Sequence, residues 1–362
     1  MSFYSTFNRL ALAASFIFIS FSIIAEPTLE EVVVSARKVD ENLQDVPIAM
    51  SVFTSSDIED AGIQRPEDFI ALTPNVVMAN TVNVGDTLVT IRGLTSTRDA
   101  ESNFAFVVDG ILQTNPNAFN RELLDIAQIE VLKGPQGALY GRNATSGAIL
   151  ITTKAPSEES ESTALVGMGV NNSSKLQFVN SGKMGDNVYT RFSLSTRDTD
   201  GEHTNVFSNS NNVDHFEDTT IRTRLLVDNG DSSWDLRAGI SEASGGTINF
   251  NAVFALPAFQ GFGTPGADQF YKDVNTHQFS YMFNVPPVNE QETADISLKY
   301  TEDMGDGREF SAILAYNHLE EFLLSDGTSG AFGGYFGVPS CAASNTASNL
   351  GLINSLPPGF SF

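Results

Sequence analysis

The stretch that most restricts how this chain can fold runs from Phe104 to Lys154. It opens with an apolar run, Phe104 to Val108, then Asp109-Gly110, then Ile111-Leu112-Gln113. Asp-Gly between two apolar runs predicts a hairpin, because both turn positions need positive φ. A short helix is expected at about Phe119 to Leu124, with Leu123 and Leu124 on its inner side. Gln128 to Lys133 then reads as a strand stopped by Gly134-Pro135, and Ala148 to Thr153 as one more strand. Between them lie glycines at 134, 137, 141 and 147. Gly134 to Gly141 fits neither the dinucleotide fingerprint nor the P-loop, since no Lys-Ser/Thr pair follows a glycine at the right offset. Tight turns and close backbone packing are the plainer reading. The whole stretch describes a small mixed α/β unit.

Upstream residues supply the rest of that unit. Ile48, Met50 and Val52 alternate as a strand should. Ser56-Asp57-Ile58-Glu59 fits a capping box, with Gly62 as a left-handed stop. Pro66 starts a second helix through Phe69, Ile70 and Leu72, closed by Thr73-Pro74. Strands follow at Val76 to Met78 and Leu88 to Arg92.

Five pieces together carry a family resemblance: Ile91-Arg92-Gly93, Val108-Asp109-Gly110, Ile129 to Pro135, Tyr140-Gly141-Arg142 and Gly147 to Ile151. Together they resemble the plug domain of TonB-dependent outer-membrane receptors. Residue-level motifs extend from about Glu30 to Pro156, and beyond that the likeness is one of pattern. The resemblance marks Arg92, Gly93, Asp109, Gly110, Glu130, Lys133, Gly134, Pro135, Gly141, Arg142 and Gly147 as plug-motif or latch positions. It also implies that plug arginines such as Arg92 and Arg142 pair with carboxylates of a surrounding barrel wall. Partly buried pairs of that kind cost several kcal/mol to break on one side, as a mechanical latch requires. The alternative for Arg92, Glu130 and Arg142 is a solvated place at an element's edge.

Four segments are expected: a signal peptide at 1–25, a periplasmic leader at 26–41, the plug at 42–156 and barrel at 157–362. Arg9 precedes the apolar stretch Leu10 to Ile24, and Ala25 is a suitable last residue before cleavage. The apolar run is shorter than the roughly 20 residues a membrane-spanning helix needs. In the leader, Glu30-Glu31-Val32-Val33-Val34-Ser35-Ala36 centres on three valines that prefer extended backbone. Such a segment can add as a strand to a partner's sheet. The resemblance implies that it is the TonB box, gripped by the energy-transducing protein TonB; an ordinary first strand is the alternative. From Arg37 to Asp45 the tether could reach roughly 30 Å, too short to cross the periplasm.

After Pro156 the pattern turns to alternation. Val188, Thr190, Phe192, Leu194 and Thr196 oppose Tyr189, Arg191, Ser193, Ser195 and Arg197. Trp234 to Ser241 and Ala294 to Thr301 alternate likewise, with weaker cases near 164–170, 176–179, 221–227 and 310–316. A soluble sandwich alternates too, but the export signal and the mixture of long and short connections favour an apolar-out, polar-in transmembrane barrel. About seven strands can be counted, and a barrel must close on an even number in bacterial proteins of this kind. The chain is therefore expected to be the N-terminal part of a longer receptor. Pro357-Pro358 just before Phe362 cannot sit in a closing central strand, so that terminal aromatic is not taken as a barrel end. The fold class expected is thus a mixed α/β plug inside an antiparallel transmembrane β-barrel that is incomplete in this chain.

Charge and chemistry narrow the function. Against 44 Asp and Glu stand 20 Lys and Arg, a formal charge of −24 that argues against nucleic acid. It suits loops at a lipopolysaccharide surface. A single cysteine, Cys341, excludes an internal disulfide, and His203, His215, His277 and His318 form no ligand pair at helical spacing. No nucleophile elbow or zinc signature is present, so no enzyme, metal centre or cofactor is expected. The loop from Glu242 to Glu292 is rich in aromatics, among them Phe250, Phe254, Phe259, Phe262, Tyr271 and Tyr281. These are ligand-contact candidates, with self-packing or an aromatic girdle as the even alternative. The function this implies is energised uptake of a scarce small molecule, with a ferric siderophore first and haem, cobalamin or a glycan behind it. A passive, plugged porin-like channel is the rival from another class.

Overall fold

The computed structural model describes residues 32–39, 41–80, 85, 87–97, 100–205, 209–210, 213–246, 287–305 and 307–324. The signal segment, Glu30, Glu31, Cys341, Phe362 and the six named loop aromatics lie outside the described residues. Two bodies are distinguished, one up to Val46 and one from Pro47 onward.

In the first body the leader is a small hairpin. β1 (Val33–Val34) pairs antiparallel with β2 (Glu41–Asn42). Lys38 turns the chain at φ 62°, and Arg37 meets Glu41 at 3.4 Å. Asn42 then caps a 3-10 turn, Leu43–Asp45, by accepting from the Gln44 amide.

The second body begins with β3 (Met50–Thr54), which runs straight into α1 (Ser55–Asp60). The capping box falls on Thr54 with Asp57, two residues before the expected Ser56 and Glu59, because Ser55 is already helical. Gly62 at φ 65° releases the chain toward α2 (Pro66–Ala71), where Pro66 needs no amide partner. A sheet of β4 (Val76–Asn80), β5 (Thr87–Ile91) and β6 (Leu94–Thr95) follows. β7 (Phe104–Val108) and β8 (Ile111–Gln113) form the expected hairpin, with Asp109 at φ 51° and Gly110 at 83°. β9 (Ile126–Lys133), α3 (Gly137–Tyr140) and β10 (Gly147–Thr153) complete the unit.

These strands make a five-stranded sheet in the order β3-β9-β10-β7-β8, antiparallel except for β10 beside β7. Its central strands are buried on both faces, so their runs of Ile, Leu and Val are nearly continuous. Phe69, Ile91, Phe119, Ile129, Val131 and Ile149 form the middle of one core. Gly147 sits there because an added Cβ would collide with the Leu132 carbonyl oxygen.

The helix expected at Phe119 to Leu124 is absent. A 3-10 turn, Pro116–Ala118, precedes it, and the following residues are irregular although Phe119, Leu123 and Leu124 are buried as expected. Helical bonding is interrupted from outside the segment. The Leu123 amide donates to Gln64 O at 2.7 Å, Arg121 Nε takes the Ala118 carbonyl at 2.8 Å, and Asp125 turns at φ 58°.

Seven antiparallel strands follow in chain order as one sheet: β11 (Glu161–Met168), β12 (Ser174–Lys183), β13 (Val188–Thr199), β14 (Phe216–Asp228), β15 (Ser232–Gly245), β16 (Val288–Asp303) and β17 (Glu309–Leu324). Each pairs with the next, and the described residues do not close the sheet. Its faces are inverted relative to a soluble sandwich. Arg191, Ser193 and Ser195 are buried on the face turned to the α/β unit, whereas Phe192, Leu236, Ile240 and Ile296 lie exposed on the other. Apolar residues facing outward along strands of this length match a lipid-facing wall.

The ion-pair contact between plug and wall as candidate functional site

The inner face of the sheet holds the α/β unit through charged groups. Asp125 is the hub. Arg191 of β13 grips its carboxylate with both arms of the fork, Nε to Oδ2 at 2.5 Å and Nη2 to Oδ1 at 2.7 Å. Ser193 Oγ donates to the same Oδ2 at 2.6 Å, and the Lys154 amide donates to the Asp125 carbonyl. Both Arg191 and Asp125 are only 8% exposed, and the remaining arm of Arg191 reaches Glu161 at 2.6 Å. Bidentate geometry, with the Ser193 hydroxyl as a third donor to the carboxylate, is what makes a buried pair tenable.

Three further contacts extend from this hub. Glu122, 1% exposed, receives Lys175 Nζ at 2.8 Å, with Arg197 at 3.7 Å. Asp109 does three things at once: its positive φ makes the hairpin turn, its carboxylate accepts from the amide and hydroxyl of Thr153, and Arg237 lies 3.1 Å from Oδ2. Arg224 reaches the carbonyls of Thr153 and Lys154, and Arg222 donates to Leu124 O at 2.8 Å. Arg121 runs the other way, from plug to wall, meeting Asp295 at 3.4 Å. Beside these groups is a cavity of about 110 Å³ between the hairpin, the 119–126 segment and the wall.

Among the described residues, Arg92 and Arg142 meet groups of the plug itself. Arg142 pairs with Glu101 inside the plug unit, 3.3 Å apart and with both side chains exposed, an arrangement worth at most about 1 kcal/mol. Arg92 is exposed in the β5–β6 turn, at φ 50° beside Gly93 at 81°, with its guanidinium over Gly134. Glu130 is buried in β9 and accepts from Gln128 Nε2. Lys133 donates to Ser51 Oγ at 3.0 Å; burial, with Arg92 nearby, holds its ammonium below the usual lysine range. The reason is placement. The Asp109 turn, the 117–125 segment and the 153–155 exit lie against the inner face and carry these ion pairs and carbonyl contacts. Of the expected positions, Asp109 makes an ion pair with the wall, to Arg237. Gly134 and Gly141 take positive φ at 115° and 79°, Pro135 is exposed in the same connection, and Gly147 admits the close backbone approach.

Residues 42–148 match the model of the TonB-dependent receptor plug domain. Those residues form a TonB-dependent receptor plug domain. The pesticin receptor of Yersinia enterocolitica (serotype O:8) is 25% identical over 213 residues, 58% of this chain and 31% of that protein. The vitamin B12 transporter BtuB of Vibrio vulnificus (strain YJ016) is 26% identical over 200 residues, 54% of this chain and 32% of the transporter. The chain therefore spans about a third of the length of these relatives. Among solved structures, the ferric yersiniabactin uptake receptor FyuA from Yersinia pestis superposes with a TM-score of 0.67 at 20% identity, covering 78% of this chain and 42% of that one. The ferripyoverdine receptor of Pseudomonas aeruginosa gives 0.65 at 18% identity, over 81% and 37%. The fold is that of a TonB-dependent receptor plug against the wall of its barrel, and these relatives are named as receptors and transporters rather than enzymes.

Proposed function

We propose that this chain supplies the plug and first wall strands of an outer-membrane receptor that takes up a scarce nutrient at the expense of work done by TonB. The ligand we favour is a ferric siderophore. The observation that carries the reading is the latch: a compact plug held by buried ion pairs to the polar face of a sheet whose other face is apolar. Ties of that kind are strong against thermal opening and short in range, so a pull of a few ångströms releases them. The siderophore choice draws on relatives named for ferric yersiniabactin and ferripyoverdine; cobalamin stands behind it through the Vibrio transporter, with haem and glycans further back.

In this reading Glu30 to Ala36 is the TonB box, and the ligand meets the outer loops, including the aromatics at 250–281. Outer-membrane lipid and lipopolysaccharide surround the wall, and residues 1–25 are removed on export. Val33 and Val34 are already paired with Asn42 and Glu41, so strand addition by TonB requires this two-residue ladder to be exchanged or extended. No bond in the ligand is broken.

Deleting Glu30 to Ala36 from the full-length receptor tests the mechanism. Energised uptake and growth on limiting iron should fall to background while outer-membrane abundance stays normal. Undiminished uptake would point instead to a passive, permanently plugged channel.

A further inference from the structure

Three wall arginines stand in one line across neighbouring strands. Arg191 of β13 is directly opposite Arg224 of β14, and Arg224 is directly opposite Arg237 of β15. Like charges at facing positions of a sheet oppose pairing, and an arginine cannot relieve this by losing its proton. The line therefore depends on compensation, and its sources divide unequally. The wall itself offers Asp235, held by Arg224 at 2.8 Å and Arg237 at 2.6 Å, and the half-exposed Glu161 on Arg191. Among the described residues the rest comes from the plug: the Asp125 and Asp109 carboxylates and the carbonyls of Thr153, Lys154 and Ala155. In the next row, Arg222 donates to the plug carbonyl of Leu124.

Removing the plug would thus take away the Asp125 and Asp109 carboxylates and the carbonyl acceptors of all four guanidiniums, leaving only Glu161 and Asp235 against the three arginines of the line. Their forks fit carboxylates bidentately, whichever molecule carries the carboxylate. The cavity of about 110 Å³ already opens onto Arg191, Arg222, Arg224 and Arg237. Resting on the uptake reading above, we propose that this arginine line is an anion-selecting constriction: the transported solute is an anionic chelate whose acidic groups replace Asp109 and Asp125 on the wall as the plug yields. Exchange of one set of carboxylates for another keeps the guanidiniums partnered throughout, lowering the cost of displacement. A neutral or cationic solute gains no such exchange and meets three guanidiniums balanced by Asp235 and Glu161 alone.

The test uses the full-length receptor in a planar bilayer, with the plug loosened by sub-denaturing urea and a KCl gradient across the membrane. No TonB is needed, so this outcome is separate from that of the leader deletion. The reversal potential should have the sign of a chloride-preferring pore. Arg224→Gln with Arg237→Gln should reduce the chloride-to-potassium permeability ratio several-fold, whereas Arg224→Lys with Arg237→Lys should retain most of it. Cation selectivity in the wild type, or a ratio that the double glutamine variant leaves unchanged, overturns the proposal. So does a pore that never opens short of barrel unfolding. If the glutamine pair fails to fold, the wild-type sign and the lysine pair still decide.

Discussion

Asp125 shows how much one residue can carry. Its backbone adopts positive φ, its carbonyl receives the Lys154 amide, and its carboxylate answers Arg191 and Ser193. Asp125→Ala leaves Arg191 buried with only Glu161, half exposed, as counter-ion. Breaking one side of a buried pair costs about 3–5 kcal/mol, and the surviving Glu161 contact places the expected loss near the lower bound. Hydrogen exchange in the full-length receptor should show faster opening of the plug amides around β10. Pairing Asp125→Leu with Arg191→Met should recover most of the loss, since an apolar pair of similar volume leaves no orphaned charge. A double variant as labile as Asp125→Ala would mean that the ion pair is incidental to seating.

Among elements, the segment between β8 and β9 is largely irregular, yet it holds the core. Phe119 is met edge-on by Phe104 and Phe106 at 5.1 Å and by Phe69 at 6.4 Å. Such pairs contribute beyond area alone, and deleting a buried Phe side chain costs about 3–5 kcal/mol. Phe119→Ala should therefore loosen the plug by that amount in denaturant titration while the wall's folded signature persists. Loss of both together would show that the wall depends on a formed plug. The helix expected here from residue type fails because Gln64, far away in sequence, claims the Leu123 amide. Strands fared better. The Asp109-Gly110 turn and the alternating wall segments are local signals, and the strands appear where they point, lengthened at their ends by pairing with neighbours.

For the whole molecule, the inverted faces of the wall make a prediction that a soluble sheet would not. Ile296 lies on the apolar outer face, half exposed, in the middle of β16. Ile296→Arg should destabilise the inserted receptor by about 2–4 kcal/mol at mid-depth, read as a lower yield of the folded, detergent-resistant form. Were the face exposed to water, the same change would be nearly neutral.

What the sequence determined by itself is whatever depends on near neighbours: the period of two along the wall, the turns that need positive φ, the apolar core strands and the motifs that mark a plug. Arg191, Arg197 and Arg237 were already legible as polar-side residues of wall strands, and their shared sign was a signal that carboxylates must face them. Which carboxylates was decided only in three dimensions. Asp125 and Arg191 are 66 positions apart, and Asp109 and Arg237 are 128. Nothing local to Arg92 or Arg142 tells them from arginines that reach the wall. Charge pairs form wherever packing brings opposite signs together out of water, and that packing is a property of the assembled core and wall.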